Sequence, residues 1–246
     1  MRIYKYRDLS HNSDEEFDRL RSLLEKQEFW CAKPCELNDQ TEFIWEIDYS
    51  LSDSTLMILA DVLSQSTEAP PQQTMMRAAA VIKDGLLKSI AHPIFENMMA
   101  KCRAEIGLAC FGTSNDNEVL WERYGGRGVG ACVEVEVPDQ TFNLHFNFVQ
   151  YSNLKQLHVD QVLSSYLDSS SLKLVYEVAL NTKPNLWVTE EEVRFLSKRQ
   201  NVPVRITDSH ISRLILGDRL SIDYEKRLNS IVRSLPYALS ISKYGA

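Results

Sequence analysis

The chain has 246 residues, enough for one large domain or two small ones with a well-buried core. Its 44% hydrophobic and 25% charged content is that of a globular protein rather than a disordered or fibrous one. A net charge of -7 argues against nucleic-acid binding by bulk electrostatics, leaving only a local basic groove as a route to it. No run is apolar and long enough to span a bilayer, and no cationic-then-apolar signal opens the chain, so a cytoplasmic protein without a membrane partner is expected.

The first element read from the pattern is a strand, Ile3 to Arg7, in β-prone alternation. A helix follows, capped by Ser13 with Glu16 three residues on, and Phe17, Leu20 and Leu24 fall at helical spacing. Glu28 to Ala32 reads as a second strand running into a polar turn, Pro34 to Asp39. From about 50 to 103 the pattern is helical, interrupted at Glu68 to Gln72 and punctuated by Gly85 and Pro93. Strand signals resume at Ile106 to Phe111, followed by a short helix at Val119 to Tyr124, a glycine-rich turn and the strand Ala131 to Val137. A strand at Phe146 to Tyr151 and a helical stretch from Leu154 to Leu180 come next. The last part offers strands at Val202 to Ile206 and Ile211 to Leu216 and a helix at Ile222 to Val232. This order predicts a single α+β domain, a mixed sheet with a helical insertion over about 50–103.

Chemistry is densest at Trp187-Val188-Thr189-Glu190-Glu191-Glu192-Val193-Arg194-Phe195. As a strand, it points Glu190, Glu192 and Arg194 to one face and Glu191, Val193 and Phe195 to the other. As a helix start, Thr189 and Glu192 make a capping box with a solvated acidic turn. Gly125 to Ala131 has the form of a dinucleotide loop, but a helix precedes it and a strand follows, the reverse of what a phosphate-binding turn needs. It reads instead as a tight turn requiring positive φ, with Arg127 exposed. The five cysteines are odd in number and scattered, as reduced thiols in a core are, and Cys31-x-x-x-Cys35 lacks a companion pair at zinc spacing. The five histidines form no triad or metal cluster, and hydrolase-elbow, zincin and P-loop motifs are missing.

Several of these pieces occur in a set order: Tyr4-Lys5-Tyr6-Arg7, Asn38-Asp39-x-x-Glu42, Cys110-Phe111, Trp121-x-x-Tyr124-x-x-x-x-x-Gly130, Lys183-x-x-x-Trp187-x-x-Glu190-x-Glu192-x-Arg194 and Ile215-Leu216-Gly217. In this the chain resembles the bacterial domain of unknown function 2971 over nearly its whole length. It departs at Gln40-Thr41, where that family has Pro-Phe, at Glu122-Arg123, where a His often precedes the Tyr, and in its long insertion. The family carries no established activity.

A more distant resemblance is to the ADP-ribosyltransferase fold, which has an early-strand arginine, a middle strand ending in Ser/Thr and a late strand with Glu-x-Glu. Arg7, Thr113-Ser114 and Glu190-x-Glu192 fall in that order. The resemblance implies NAD as substrate, no metal, and an unidentified macromolecular acceptor or water, in an effector or toxin role such as phage defence. Glu192 would face the charge that develops on the ribose and Glu190 would orient the acceptor. Arg7 would hold the pyrophosphate, with Thr113 or Ser114 bracing the site. Tyr6, Trp121 or Tyr124, along with Tyr4, would stack on nicotinamide or adenine. Against this stand core packing for the aromatics and internal ion pairs, Arg7–Glu42 or Arg194–Glu190, for the charges. Two other classes remain open: a non-catalytic recognition module, and a magnesium nuclease built on Asp39, Glu42, Glu190 and Glu192.

Overall fold

The computed structural model of the chain describes residues 1–10, 14–39, 41, 43–65 and 67–245. The fold is α+β, and the chain gathers into two compact units. The first comprises Met1–Ala32, Gly107–Tyr151 and Lys183–Ala246; the second comprises Lys33–Ile106 and Ser152–Thr182.

A seven-stranded mixed sheet organises the first unit. Its strands in chain order are β1 (Arg2–Arg7), β2 (Gly107–Gly112), β3 (Ala131–Glu136), β4 (Phe146–Phe148), β5 (Glu192–Ser197), β6 (His210–Leu216) and β7 (Ser240–Lys243). In space they run β7-β6-β3-β1-β2-β5-β4, with the β6–β7 pair parallel and the others antiparallel. Alternation gives the sheet two unlike faces. On one, Ile3, Phe111, Val133, Val135, Val193, Phe195 and Leu214 form a dry core with the helices Asp14–Lys26 and Ile222–Ser234. Phe17, Leu20, Leu23 and Leu24 of the first helix are buried there, each contributing about 1.5–3 kcal/mol of apolar transfer. That helix ends at Gln27, whose φ of 54° cannot continue it; the expected cap, Ser13, lies outside the described residues.

The other face is polar and aromatic. Register aligns Arg213, Glu134, Tyr4, Gly112 and Glu192 in one row across five strands. Glu134 accepts from Tyr4 Oη at 3.2 Å and pairs with Arg213 at 2.5 Å. The neighbouring side chains Tyr6, Cys132 and Ile215 pack with Leu120 and Trp121 of the helix Glu118–Arg123. Gly112 makes room for that helix: a Cβ there would run into Leu120 Cδ1.

The glycine-rich turn is as the sequence suggests, with φ of 59° at Gly126, 55° at exposed Arg127 and 86° at Gly128. All five cysteines are free thiols.

The second unit holds the anticipated helices as Thr55–Ser64, Pro71–Lys83 and Leu87–Glu105, together with Val159–Leu167 and Ser169–Leu180. Leu59, Met99, Leu157 and Leu163 lie at its centre. Gly85, at φ +71°, separates two of these helices as expected, whereas Pro93 lies inside Leu87–Glu105 and does not end it. Two sequence expectations are corrected. The stretch from 154 begins with a strand, Gln156–His158, which pairs in parallel with Glu46–Asp48 before the helices start. The strand Phe146 to Tyr151 divides into β4 and the two-residue Gln150–Tyr151. Among the described residues no helix is long and apolar enough to cross a membrane.

Candidate active site

The Trp187 to Phe195 segment is neither one continuous strand nor a helix start. Asn185–Glu190 forms a 3₁₀ turn, Glu191 takes a left-handed conformation at φ 45°, and β5 begins at Glu192. The kink keeps the carboxylates of Glu190 and Glu192 on one side while Val193 and Phe195 enter the core.

Lys183 joins them. Its Nζ donates to Glu192 Oε2 at 2.6 Å and to Glu190 Oε2 at 3.0 Å. Glu192 also accepts from Arg194 Nε at 2.8 Å on Oε1 and from Arg194 Nη2 at 3.4 Å on Oε2. Glu190 Oε1 accepts from Arg123 Nη1 and Tyr124 Oη, both at 2.9 Å. The Trp187 ring lies under two of the cations, 4.6 Å from the Arg123 guanidinium carbon and 5.0 Å from Lys183 Nζ. Tyr151 Oη accepts from the Glu192 backbone N–H at 2.9 Å.

These charges are deeply placed: side-chain exposure is 2% for Glu190, 6% for Glu192, 7% for Lys183 and 0% for Arg194, against 38% for Arg123. Burial alone would raise the Glu192 pKa, but Arg194 and Lys183 outweigh it and hold the carboxyl at about 2. Burial works against the Lys183 ammonium, yet Glu192 and Glu190 prevail and raise its pKa. Beside them, burial and then Glu192 push the Cys110 thiol up to about 12, so it stays protonated and bonds to Glu192 as a donor.

Of the residues singled out in the sequence, Glu190, Glu192 and Tyr124 meet here directly. Thr113, just past the end of β2, donates to Glu191 Oε2 at 3.0 Å. Ser114 accepts from Tyr6 Oη at 2.7 Å on its carbonyl and bonds Asp116 through its hydroxyl. Tyr6 and Trp121 are buried in edge-to-face contact at 5.3 Å, with the Trp121 indole N–H donating to Asn115 O at 2.8 Å. Both therefore brace the site as packed side chains. Arg7 is not brought to the glutamates: alternation turns it to the helix-covered face, where its Nη1 lies 4.0 Å from Glu16 and burial lowers its pKa. Glu42, its suggested partner, lies outside the described residues. Arg194 pairs with Glu192, and Glu190 with Arg123 and Lys183, in place of an Arg194–Glu190 pair.

Sequence reasoning assigned no role to Lys183, Arg123 or Tyr151. The spacing Lys183-x-x-x-Trp187-x-x-Glu190-x-Glu192-x-Arg194 held the signal for the first: a cation at the head of an acidic motif balances its carboxylates. Comparison with protein-family models, curated proteins and solved structures finds no match for the chain.

Proposed function

We propose that the polar face of the sheet binds a nucleotide, and that the protein acts on NAD as an ADP-ribosyltransferase or NAD glycohydrolase of the bacterial domain of unknown function 2971 family. The observation that carries this reading is the buried cluster in which Glu190 and Glu192 share Lys183 beside Arg123, Arg194, Tyr124 and Trp187. It supports the family reading because motif residues scattered from Tyr124 to Arg194 converge on one place. It supports a nucleotide because three cations against two carboxylates leave one net positive charge, with aromatic rings at its edge.

In the reaction, the nicotinamide–ribose bond breaks with its electron pair leaving on the nicotinamide nitrogen, and positive charge builds on the ribose. An oxygen of water or of an acceptor then bonds that carbon and gives up its proton. Glu192, fixed as an anion, faces the developing charge and accepts a ribose hydroxyl in exchange for one of its present donors. Glu190 orients the acceptor, and Thr113 steadies the kink through Glu191. The position of Arg7 lends no support to a pyrophosphate contact by that residue. A role as an effector or toxin in bacterial conflict or phage defence suits such an activity.

One observation favours a second reading, a non-catalytic recognition module. Every carboxylate oxygen of Glu190 and Glu192 already has a partner, as in a structural ion network. The same cations weigh against a magnesium site on these two glutamates.

The test is nicotinamide release from NAD by the purified protein beside Glu192→Gln. Release that disappears in a folded Glu192→Gln supports the transferase reading. No release, with no thermal shift on adding NAD, ends it and leaves the recognition module.

A further inference from the structure

Three cations serve the cluster, and they are not equivalent. Lys183 and Arg194 are buried and spent on the two glutamates. Arg123 is 38% exposed, and its hydrogen bond to the cluster runs from Nη1 to Glu190 Oε1. A guanidinium carries five N–H donors in a planar fork, so most of its donor capacity faces away from Glu190. Its guanidinium is also held in place over the Trp187 ring, 4.6 Å from the centroid. Glu190 does not depend on it alone: with Arg123 engaged elsewhere, Lys183 and Tyr124 still hold both carboxylate oxygens. Arg123 is thus a preoriented cation, carrying the cluster's surplus charge at its solvent-facing edge.

We infer that Arg123 is the anion-recognising residue of this site, and that Trp187 is the platform that aims it at a phosphate group of the ligand. The inference rests on the nucleotide reading and deepens it, naming the residue that meets the phosphates. A tetrahedral oxyanion fits because two of its oxygens can take parallel N–H donors from the fork, and because its charge offsets the net positive charge of the cluster. Lysine at this position would supply a point charge without the planar fork of donors.

The experiment is calorimetric titration of the full chain with inorganic pyrophosphate and, separately, with NAD, at low and moderate salt, for wild type, Arg123→Gln, Arg123→Lys and Trp187→Phe. Thermal unfolding of each variant shows that it is folded. The expected result is a loss of pyrophosphate affinity of about tenfold or more in Arg123→Gln, with intermediate losses in Arg123→Lys and Trp187→Phe, and weaker binding at higher salt. Acetate as the probe separates a phosphate site from a general carboxylate site, which would bind acetate with the same dependence on Arg123 and overturn the phosphate assignment. Wild-type binding of NAD that is unchanged in Arg123→Gln overturns the inference while leaving the nucleotide reading intact. Pyrophosphate binding that depends on Arg123 without any NAD binding upholds the inference and overturns the NAD reading. No binding of either probe by folded wild type overturns both.

Discussion

Lys183 and Glu192 form a buried ion pair of 2.6 Å that closes the 3₁₀ turn of Asn185–Glu190 onto the first residue of β5. Because Lys183 also holds Glu190, one ammonium fixes both acids of the motif at the place where the backbone takes its left-handed kink at Glu191. Two carboxylates so close and so little exposed would repel each other strongly without it. The site's geometry and its stability therefore share one residue.

Removing that ammonium should be costly. Lys183→Met leaves two buried acids with only Arg194, Arg123 and Tyr124 to offset them and is expected to destabilise the fold by about 3–5 kcal/mol, measured by urea unfolding. Glu192→Gln should cost a comparable amount, since its amide NH2 faces a donor where a carboxylate oxygen now accepts, and buried Arg194 loses its counter-charge. The double variant should cost less than the sum of the two singles, as partners in one network do. Strict additivity would show that the pair is not coupled.

The depressed Glu192 pKa makes a statement about pH. Its folded value of about 2 lies below the ordinary 4.5, so its contribution is fully present above pH 4.5 and is lost as pH falls from there through about 2. The shift corresponds to about 3 kcal/mol. Wild type should lose most of this increment in denaturant titrations between pH 5 and 2.5, and Glu192→Gln should show a correspondingly flatter profile. Equal slopes would mean that the carboxyl is not held by Lys183 and Arg194.

Much of the frame was legible because periodicity reports burial directly. Phe17, Leu20 and Leu24 marked the first helix, and Val193 with Phe195 marked the core side of β5. The alternation of Glu192 and Arg194 onto one face was readable for the same reason. Glu190 shares that side as expected, but through a 3₁₀ turn and the left-handed Glu191 rather than through the strand period that such reasoning assumes. Arg7 was misjudged because chain order cannot tell which face of a sheet a residue takes once strands from distant segments pair. Arg123 escaped notice because it sits on a six-residue helix whose place is set by tertiary contacts, Leu120 over Gly112 and Trp121 against Tyr6. The strand Ser240–Lys243 likewise depends on its neighbour β6 more than on its own pattern, Ser-Ile-Ser-Lys.

Gly112 links fold to site, and that link can be tested. A Cβ there runs into Leu120 Cδ1, and that atom ends a flexible side chain, so Gly112→Ala should be absorbed by rotation of Leu120 at about 1 kcal/mol. Gly112→Val adds branched bulk beside Tyr6 as well, 3.4 Å from the same Cβ position, and should lift the helix Glu118–Arg123. The expected outcome is a loss of about 1–3 kcal/mol together with a changed Trp121 fluorescence maximum and weakened ligand binding, because Arg123 and Tyr124 ride on that helix. Wild-type binding by the Gly112→Val variant would show that the helix is held elsewhere.

Lys5 is a cation the fold tolerates at a cost. β1 and β2 register at Tyr4 and Gly112; beside that point Lys5 Nζ donates to Cys110 O at 2.7 Å and lies 5.5 Å from the Phe111 ring centroid. Burial first, then Arg7 on the same face, lower its pKa from 10.5 to about 8. A lysine depressed in this way destabilises the folded state fully below pH 8, and the penalty fades as pH rises from 8 to 10.5, where the unfolded chain binds more protons than the folded one. Lys5→Met keeps the length of the stem and removes the charge, at the loss of one hydrogen bond to a carbonyl. It should therefore raise stability at pH 7 by about 1–2 kcal/mol, less than the full shift implies because the lost bond offsets part of it. The advantage over wild type should shrink by pH 10 in the same urea titration. A variant less stable than wild type at pH 7 would mean that the Lys5–Cys110 bond outweighs the cost of burying the ammonium between the strands.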